Sequence, residues 1–418
     1  MEIETLKGTK NYTPEEQILR EKIIKIIKEV LERYGFNPTE TPILQPYSLL
    51  SSKYGGGEEI LKECYKLKDQ GNRKLGLRYE LTITLARYLN ENPNIKLPFK
   101  RYEIGKIFRD GPVKKARERE FTQFDADIIG TNSKFADLEI LSILEEVFKK
   151  LNIDIEIRLN DKKILFQILK YAGIEGDQNF QNSIILTIDK LEKIGRKGVE
   201  KELMQKGLDK NKISKIFKLI EISGKNEKIL EELSKKINVD DIKEIVRLSK
   251  IQGLKKIKLF PSLARGLAYY TDLIFEVFSE KMSSSLAGGG RYNNLFKNLI
   301  NKDLPSVGVS FGIDAIASIL KPEKKSKVQS YLIPVGISAE KFLPIVKELR
   351  KNINTDFDLI GRGLSKNLEF ADRNKIPYSI IVGEKELKEG KVKLKNMETG
   401  EEKVLSLEET VKIIKSIK

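Results

Sequence analysis

The chain of 418 residues contains no histidine and no tryptophan, and Cys64 is its only cysteine. Without histidine there is no Ser-His-Asp triad, no imidazole acid–base catalyst and no His-ligated metal. A single cysteine allows no internal disulfide and no cysteine-cluster metal site, and a reducing, cytoplasmic location is expected. No run of about 18 apolar residues occurs, which excludes a helical membrane span. The opening MEIETLKGTK lacks the apolar core of a secretory signal. Chemistry therefore falls to carboxylates, arginines, hydroxyls and backbone groups.

What is present is a soluble, globular composition: 40% apolar and 33% charged residues, with length enough for two or three domains. The formal net charge is +16. Such an excess of Lys and Arg fits a polyanionic partner such as nucleic acid, and a lysine-rich proteome would produce it equally. Its distribution is uneven: residues 186–258 hold 20 Lys and Arg against 12 Asp and Glu, a net +8.

Periodicity predicts a helix over 13–34, with Thr13, Pro14 and Glu16 at N-cap, N1 and N3 of a capping box and Gly35 as its stop. A second helix is expected over 134–151. Between them NPTETPIL, KLGLRYEL, FKRYEIGKIFRD and REFTQFDADIIG read as short strands, too closely spaced for repeated βαβ units. The expected class is α+β, an antiparallel sheet flanked by helices. Residues 161–255 read as an inserted, lysine-rich helical module. Strand signals return at 257–261, 268–278, 284–288 and 305–312, and PEKKSK (322–327) is a charged hinge before a separate α/β domain. The resulting layout is 1–160, 161–255, 256–325 and 326–418.

Four stretches could carry chemistry. In FRDGPVKKAREREFTQF (108–124) Arg109 closes one strand, Arg117, Arg119 and Phe121 open the next, and the loop carries Lys114 and Lys115. Arginines at both bases of a hairpin can clamp phosphate from two sides, although a solvated basic hairpin has the same sequence. LAGGGRYNNL (286–295) sets Gly288, Gly289 and Gly290 before an arginine, which suits close backbone approach to a ligand or a simple bulge. LGLRYELT (75–82) is expected to put Glu80 and Thr82 on one face of a strand, able to hold an ammonium or imidazole group. ARGLAYYTDLIFEVF (264–278) sends Arg265, Tyr269 and Tyr270 into a strand. Together they suit ATP, a small cationic molecule and RNA.

These stretches resemble the histidyl-tRNA synthetases, class II aminoacyl-tRNA synthetases of archaeal and eukaryotic type, over essentially the whole chain. KGTKNYTPEE (7–16) is similar to the family's N-terminal signature, GFNPTETPIL (35–44) to motif 1 at the dimer interface, and residues 99–130 to motif 2. DKLEKIGRKGVEKEL (189–203) resembles part of the insertion domain. ARGLAYYT and LAGGGRY resemble the two histidine-specific motifs, SVGVSFGIDAI (306–316) motif 3, and the last 90 or so residues the anticodon-binding domain.

The resemblance implies that L-histidine is activated with ATP and Mg²⁺ to histidyl-adenylate and passed to the 3′ end of tRNA(His) by a cytoplasmic homodimer. Arg265 and Arg109 would be catalytic. Glu80, Thr82, Gln123, Asp127, Tyr269 and Tyr270 would bind the amino acid. Arg109, Arg117, Gly288, Gly289 and Gly290 would bind ATP, with Lys114 and Lys115 touching tRNA and no metal held by Cys or His. Departures from the family pattern are Ala315 in place of the motif 3 arginine, Gly111, Glu118, Ala268 and Asn293. The rival is a synthetase-like regulatory subunit of histidine biosynthesis, which would dispense with the anticodon domain and the Arg265–Tyr269–Tyr270 motif.

Overall fold

The computed structural model describes residues 3–52, 61–113, 118–265, 269–322 and 326–416. They form two compact units, Met1–Tyr12 with Leu19–Lys321, and Thr13–Ile18 with Pro322–Lys418.

The strands of the first unit are β1 (Asn37–Pro38), β2 (Leu44–Pro46), β3 (Lys66–Lys68), β4 (Lys74–Leu77), β5 (Phe99–Phe108), β6 (Glu120–Ile129), β7 (Glu156–Asp161), β8 (Ile257–Leu259), β9 (Leu273–Ser279), β10 (Met282–Arg291) and β11 (Ser306–Gly312). Eight make one sheet in the order β1-β5-β6-β11-β10-β9-β7-β8, antiparallel except at its two edges, where β1 pairs β5 and β8 pairs β7 in parallel. β2, β4 and β3 make a separate small sheet.

Alternation along β6 decides what each face of the large sheet does. Phe124, Ala126 and Ile128 point to the back, where they join Phe311 and Val309 of β11 and the helices Pro14–Arg33 and Lys134–Lys150 through Ile23, Ile27, Val30, Ile140, Leu144 and Phe148 in one apolar core. Gln123, Asp125 and Asp127 point to the front. The first helix begins with the expected reciprocal cap, Thr13 N donating to the Glu16 carboxylate at 3.0 Å.

Between β7 and β8 the chain makes six helices among the described residues, from Lys162–Tyr171 to Asp240–Ile251. It then returns alongside its departure point, with Ile157 opposite Ile257. Leu165, Ile168, Ile184, Val199, Ile216, Phe217 and Ile245 fill the module's interior; most of its lysines lie at the surface, but Lys162 is part-buried, its Nζ donating to Tyr270 O at 2.9 Å.

The second unit has β12 (Ser330–Val335), β13 (Thr355–Phe357), β14 (Tyr378–Gly383), β15 (Val392–Asn396) and β16 (Glu402–Leu405), ordered β13-β12-β14-β15-β16. β12 is covered on both faces, with Leu332 in one cluster and Tyr331 and Ile333 in the other, which explains its continuous apolar run.

Two local expectations are corrected. Glu80 and Thr82 do not share a strand: β4 ends at Leu77, and Thr82 opens the helix Thr82–Glu91. Its buried face, Thr82, Ile83, Leu85, Ala86 and Leu89, has helical spacing, and the Glu80 carboxylate accepts the Ile83 amide at 3.0 Å as a local start signal. Nor is 37–44 one strand, since only Asn37–Pro38 and Leu44–Pro46 pair. Between them Thr41 turns inward to donate to Glu103 at 2.8 Å.

Candidate active site

Directly paired residues of neighbouring strands share a face, and every second residue returns to it. One row across the front of the large sheet is therefore Glu103, Asp125, Ser310, Gly288, Glu276 and Arg158, and the next is Arg101, Asp127, Gly308, Gly290, Ile274 and Asn160. Charged side chains lie flat on this face only because glycines leave room beneath them. A Cβ on Gly288 would come to 2.9 Å from the Arg265 guanidinium carbon, one on Gly308 to 3.0 Å from Asp127 Cγ, and one on Gly105 to 2.9 Å from the Arg78 guanidinium carbon. Gly289 faces backbone and Phe275 instead, and Gly290 faces Leu273 O and Tyr270. Of the glycine triplet, Gly288 is thus the floor under Arg265, while its two successors let strands and a tyrosine approach.

Arg265 precedes β9 and folds back over it. Its Nη1 donates to Phe275 O at 3.1 Å and lies 3.3 Å from Glu276 Oε1, and its guanidinium sits 5.2 Å from the Tyr270 ring centre. Asp189 is close on the module side: burial and Glu276 push its carboxyl up to about 6, opposed by Lys193 and Arg265.

Tyr269 and Tyr270 are buried with ring centres 4.8 Å apart, and Tyr292 meets Tyr269 edge-on at 5.8 Å. The Tyr269 hydroxyl donates to Glu80 Oε2 at 3.0 Å. Burial raises the Glu80 carboxyl to about 7, although Tyr269, the Ile83 amide and Arg109 all favour its charged form. The same burial and the adjacent Glu80 charge drive the Tyr269 hydroxyl well above its ordinary range. Thr82 lies buried beside this pair.

Asp127 is tied by one hydrogen bond and one ion pair. Its Oδ1 accepts the Tyr292 hydroxyl and its Oδ2 pairs with Arg101 at 2.8 Å. Fully buried Arg101 also contacts Glu103 at 3.2 Å, and Glu103 is held by Arg78 at 2.7 Å. This alternation of charges neutralises four ionisable groups that could not be buried singly. Burial and then Asp127 raise the Asp125 carboxyl to about 8.

Arg109, just past β5, donates to Tyr79 O at 3.1 Å and lies over the Phe121 ring at 5.4 Å. The hairpin neck is closed by the Arg109 amide donating to Arg119 O at 2.8 Å. Arg117, Lys114, Lys115 and Ala268 fall outside the described residues. Ala315 stands on the helix Ile313–Ile319, where neighbouring Asp314 accepts from Tyr12 Oη at 2.7 Å and from Thr122 N at 2.8 Å and pairs with Arg20.

The structure brings Glu80, Thr82 and Tyr269 together, sets Tyr270 against Arg265, and lays Arg265 across Gly288. It also brings in residues that sequence reasoning passed over: Arg101, Asp125, Asp189, Glu276 and Tyr292. The alternation Gln123–Asp125–Asp127 carried a usable signal for Asp125, as did a lone acid amid LIFEVF for Glu276. Among the described residues no three carboxylate or thiol side chains are grouped to hold a metal ion.

A family model described as Histidyl-tRNA synthetase matches residues 8–316, and one described as Anticodon binding domain matches residues 329–417. The chain is 41% identical over 421 residues to histidine–tRNA ligase 1 of Bacillus cereus, covering 96% of this chain and 95% of that protein. It is 32% identical over 438 residues to the histidine–tRNA ligase of Pyrococcus abyssi, covering 99% of each. The crystal structure of histidyl-tRNA synthetase from Nostoc sp. PCC 7120 superposes with a TM-score of 0.86 at 26% identity, over 100% of this chain and 99% of that one.

Proposed function

We propose how this chain, which belongs to the histidyl-tRNA synthetase family, uses the charged face to run its reaction. It is an aminoacyl-tRNA synthetase that activates L-histidine with ATP to histidyl-adenylate and transfers the histidyl group to the 3′ end of tRNA(His). The regulatory-subunit alternative gains nothing from the curated relatives, which carry the ligase name over nearly the full chain.

The observation that carries the residue assignments is the meeting of opposite chemistries on one sheet face. Acceptors cluster at Glu80, Gln123 and Asp127, and cations stand at Arg265 and Arg109. The amino acid's N–H donors would be met by the acceptors, with Tyr269 and Tyr270 walling the ring. A substrate lacking those donors would leave buried acceptors bare, which is how such a site discriminates. Arg265 would stand beside the substrate carboxylate and the α-phosphate. Arg109 and Arg117 would hold the outer phosphates, with Gly288 and Gly290 letting ATP lie close to the front of the sheet; Gly289 faces Phe275 and backbone on the other side and takes no part.

The carboxylate oxygen attacks the α-phosphorus in line, the new O–P bond forms, and the bond to the bridging oxygen breaks to release pyrophosphate. No proton moves, so no general base is required, and fixed guanidinium groups stabilise the charge that develops. Mg²⁺ bound with ATP would supply further charge neutralisation. A terminal ribose hydroxyl of tRNA then attacks the carbonyl carbon, the bond from that carbon to the adenylate oxygen breaks, and AMP leaves as the hydroxyl proton passes to a phosphate oxygen. Lacking the motif 3 arginine at Ala315, this chain would rely on Arg109 and Arg117 for the phosphates.

The remaining assignments follow the same reading. Residues 1–160 and 256–325 would form the two parts of the catalytic core, 161–255 the module for acceptor-stem contacts, and 326–418 the anticodon reader. Lys114 and Lys115 would approach the acceptor end. Exposed Ile43, Leu44 and Leu67, on or beside the small sheet that follows motif 1, suit a homodimer interface. No helix among the described residues is long and apolar enough to cross a membrane, and a cytoplasmic site is the reading adopted. The test is ATP–pyrophosphate exchange with each of the twenty amino acids in turn. Exchange with histidine alone is expected, and exchange with none would overturn the assignment.

A further inference from the structure

The tyrosine pair lies just ahead of the sheet ladder. Pairing of β9 with β7 begins at Leu273, opposite Asp161, so the residues before it, Tyr269 to Asp272, are held by other ties. One is the Thr271 amide, which donates to Arg291 O at 2.8 Å. Others come from the point where the chain leaves β7 for the helical module. Asp161 ends β7 and caps the helix Lys162–Tyr171, accepting the Lys163 amide at 2.8 Å, and this sets two lysines against the tyrosine segment. The Lys162 amide donates to Asp272 O at 2.9 Å, and its ammonium donates to Tyr270 O at 2.9 Å. Lys163 pairs with one oxygen of Asp272 and reaches Asp241, on the module's last helix, at 3.1 Å. Asp241 in turn takes Lys134 of the catalytic core at 2.9 Å. The other Asp272 oxygen accepts from Thr271 Oγ1 at 2.6 Å and from Asn293 Nδ2 at 2.8 Å. Both ends of the module are therefore tied to the core beside the tyrosines.

We propose that Lys162 is a positioning residue for amino-acid binding: from the root of the module it fixes the Tyr270 carbonyl, and so sets the tyrosine pair that walls the substrate. The inference rests on the histidine-activating reading of this site, and it gives Lys162 no contact with the substrate. A held carbonyl fixes the ψ angle of its own residue. The Tyr270 ring packs on Tyr269 at 4.8 Å and beside the Arg265 guanidinium at 5.2 Å. A peptide plane free to turn at Tyr270 would loosen both contacts at once.

A lysine is a costly way to make this tie. Burial lowers the Lys162 ammonium from 10.5 to about 8. Between those values the unfolded state keeps a proton that the folded state has lost, so the group's contribution to stability rises with pH through that window and is lowest below it. At neutral pH the buried cation disfavours folding. Methionine would fill the same space near the Phe166 ring, whose centre lies 5.9 Å from Nζ, with no charge to desolvate. Packing alone does not call for a lysine here, whereas a directional donor aimed at one carbonyl serves position.

The test is pyrophosphate exchange by Lys162→Met at pH 7, with histidine varied at saturating ATP and ATP varied at saturating histidine, read beside thermal unfolding. The lost hydrogen bond and the removed buried charge offset one another, so the melting temperature should change little. The KM for histidine is expected to rise at least about fivefold, with the KM for ATP within about twofold of native. Lys162→Arg, which keeps N–H donors, should lie closer to native than Lys162→Met. Lys170→Met makes the same charge change at an exposed position of the same helix and should match native in both constants. A histidine KM within about twofold of native in folded Lys162→Met would overturn the proposal, and so would equal rises in both constants, which mark general distortion. Should Lys162→Met not fold, Lys162→Gln is read by the same criteria. If native enzyme exchanges with no amino acid, the histidine-activating reading fails and this inference falls with it, an outcome seen in native enzyme rather than in a variant.

Discussion

Gly288 and Gly289 are consecutive, equally buried, and expected to fail in opposite ways when each is given a single methyl group. In Gly288→Ala the new Cβ would lie 2.9 Å from the Arg265 guanidinium carbon, with Nη1 nearer still. Ordinary contact requires about 3.4 Å or more, so the guanidinium has to withdraw by roughly 1 Å. The obstructing atoms are the far end of a flexible side chain, and what is lost are contacts to Phe275 O at 3.1 Å and Glu276 at 3.3 Å. Those are worth about 1–2 kcal/mol together, a modest change in melting temperature. Catalysis should suffer far more, because a displacement of about 1 Å in a positioned charge costs on the order of 10² in rate, or about 2.7 kcal/mol. In Gly289→Ala the Cβ meets Phe275 at 2.6 Å and the Val309 Cα at 2.9 Å. Two sheet strands would have to part, and the variant should melt well below native or be insoluble. Pyrophosphate exchange read against thermal unfolding distinguishes the two. Exchange by Gly288→Ala within threefold of native would refute the role given to Arg265, and equal loss of stability in both would refute the steric account.

Glu80, raised to about 7 by burial, should weaken histidine binding as pH falls from 8 to 6, and Glu80→Gln should flatten that dependence beyond what the substrate's own imidazole contributes. Linkage gives a second sign. The folded state keeps a proton that the unfolded state has lost between about 4.5 and 7, so stability from this group declines as pH rises through that window. Native enzyme without ligand should therefore lose more melting temperature between pH 5 and 8 than Glu80→Gln, and parallel curves would count against it. Arg101→Met removes the cation shared by Asp127 and Glu103 and is expected to cost about 3–5 kcal/mol in urea unfolding; a loss under 1 kcal/mol would mean the acids find other partners. Replacing Lys114 and Lys115 by Ala should lower tRNA affinity and reduce the salt slope by about two. Unchanged aminoacylation at every salt concentration would place tRNA elsewhere.

How legible the site was in sequence depended on how far apart its parts lie along the chain. The hairpin of β5 and β6 was readable because its arginines and its alternation sit within one short stretch. LGLRYELT alternates well enough to read as a strand through Glu80, which hides the helix that TITLARYLNE starts. The glycine triplet announced itself, yet that Gly288 lies under Arg265 follows only once β9 and β10 are paired. Asp125 stood in plain view between two nominated residues, while its burial beside Asp127 is supplied only by folding.

The order of strands has a consequence during synthesis. β6 pairs with β11, and Ser306, the partner of Ile129, is made 177 residues later (306 − 129). At ribosomal speeds of about 5–20 residues per second, one edge of the β5–β6 hairpin stays open for roughly 10–35 s. An open, flat edge invites pairing with other nascent chains, and charged residues pointing to the inward face are a natural deterrent. Arg101, Asp125 and Asp127 lie on that face, so the side chains that later line the site also guard the half-made sheet while its central strands are still to be translated. A change of Asp125 and Asp127 to apolar residues would then show first as aggregation of new protein, before any assay of the finished enzyme.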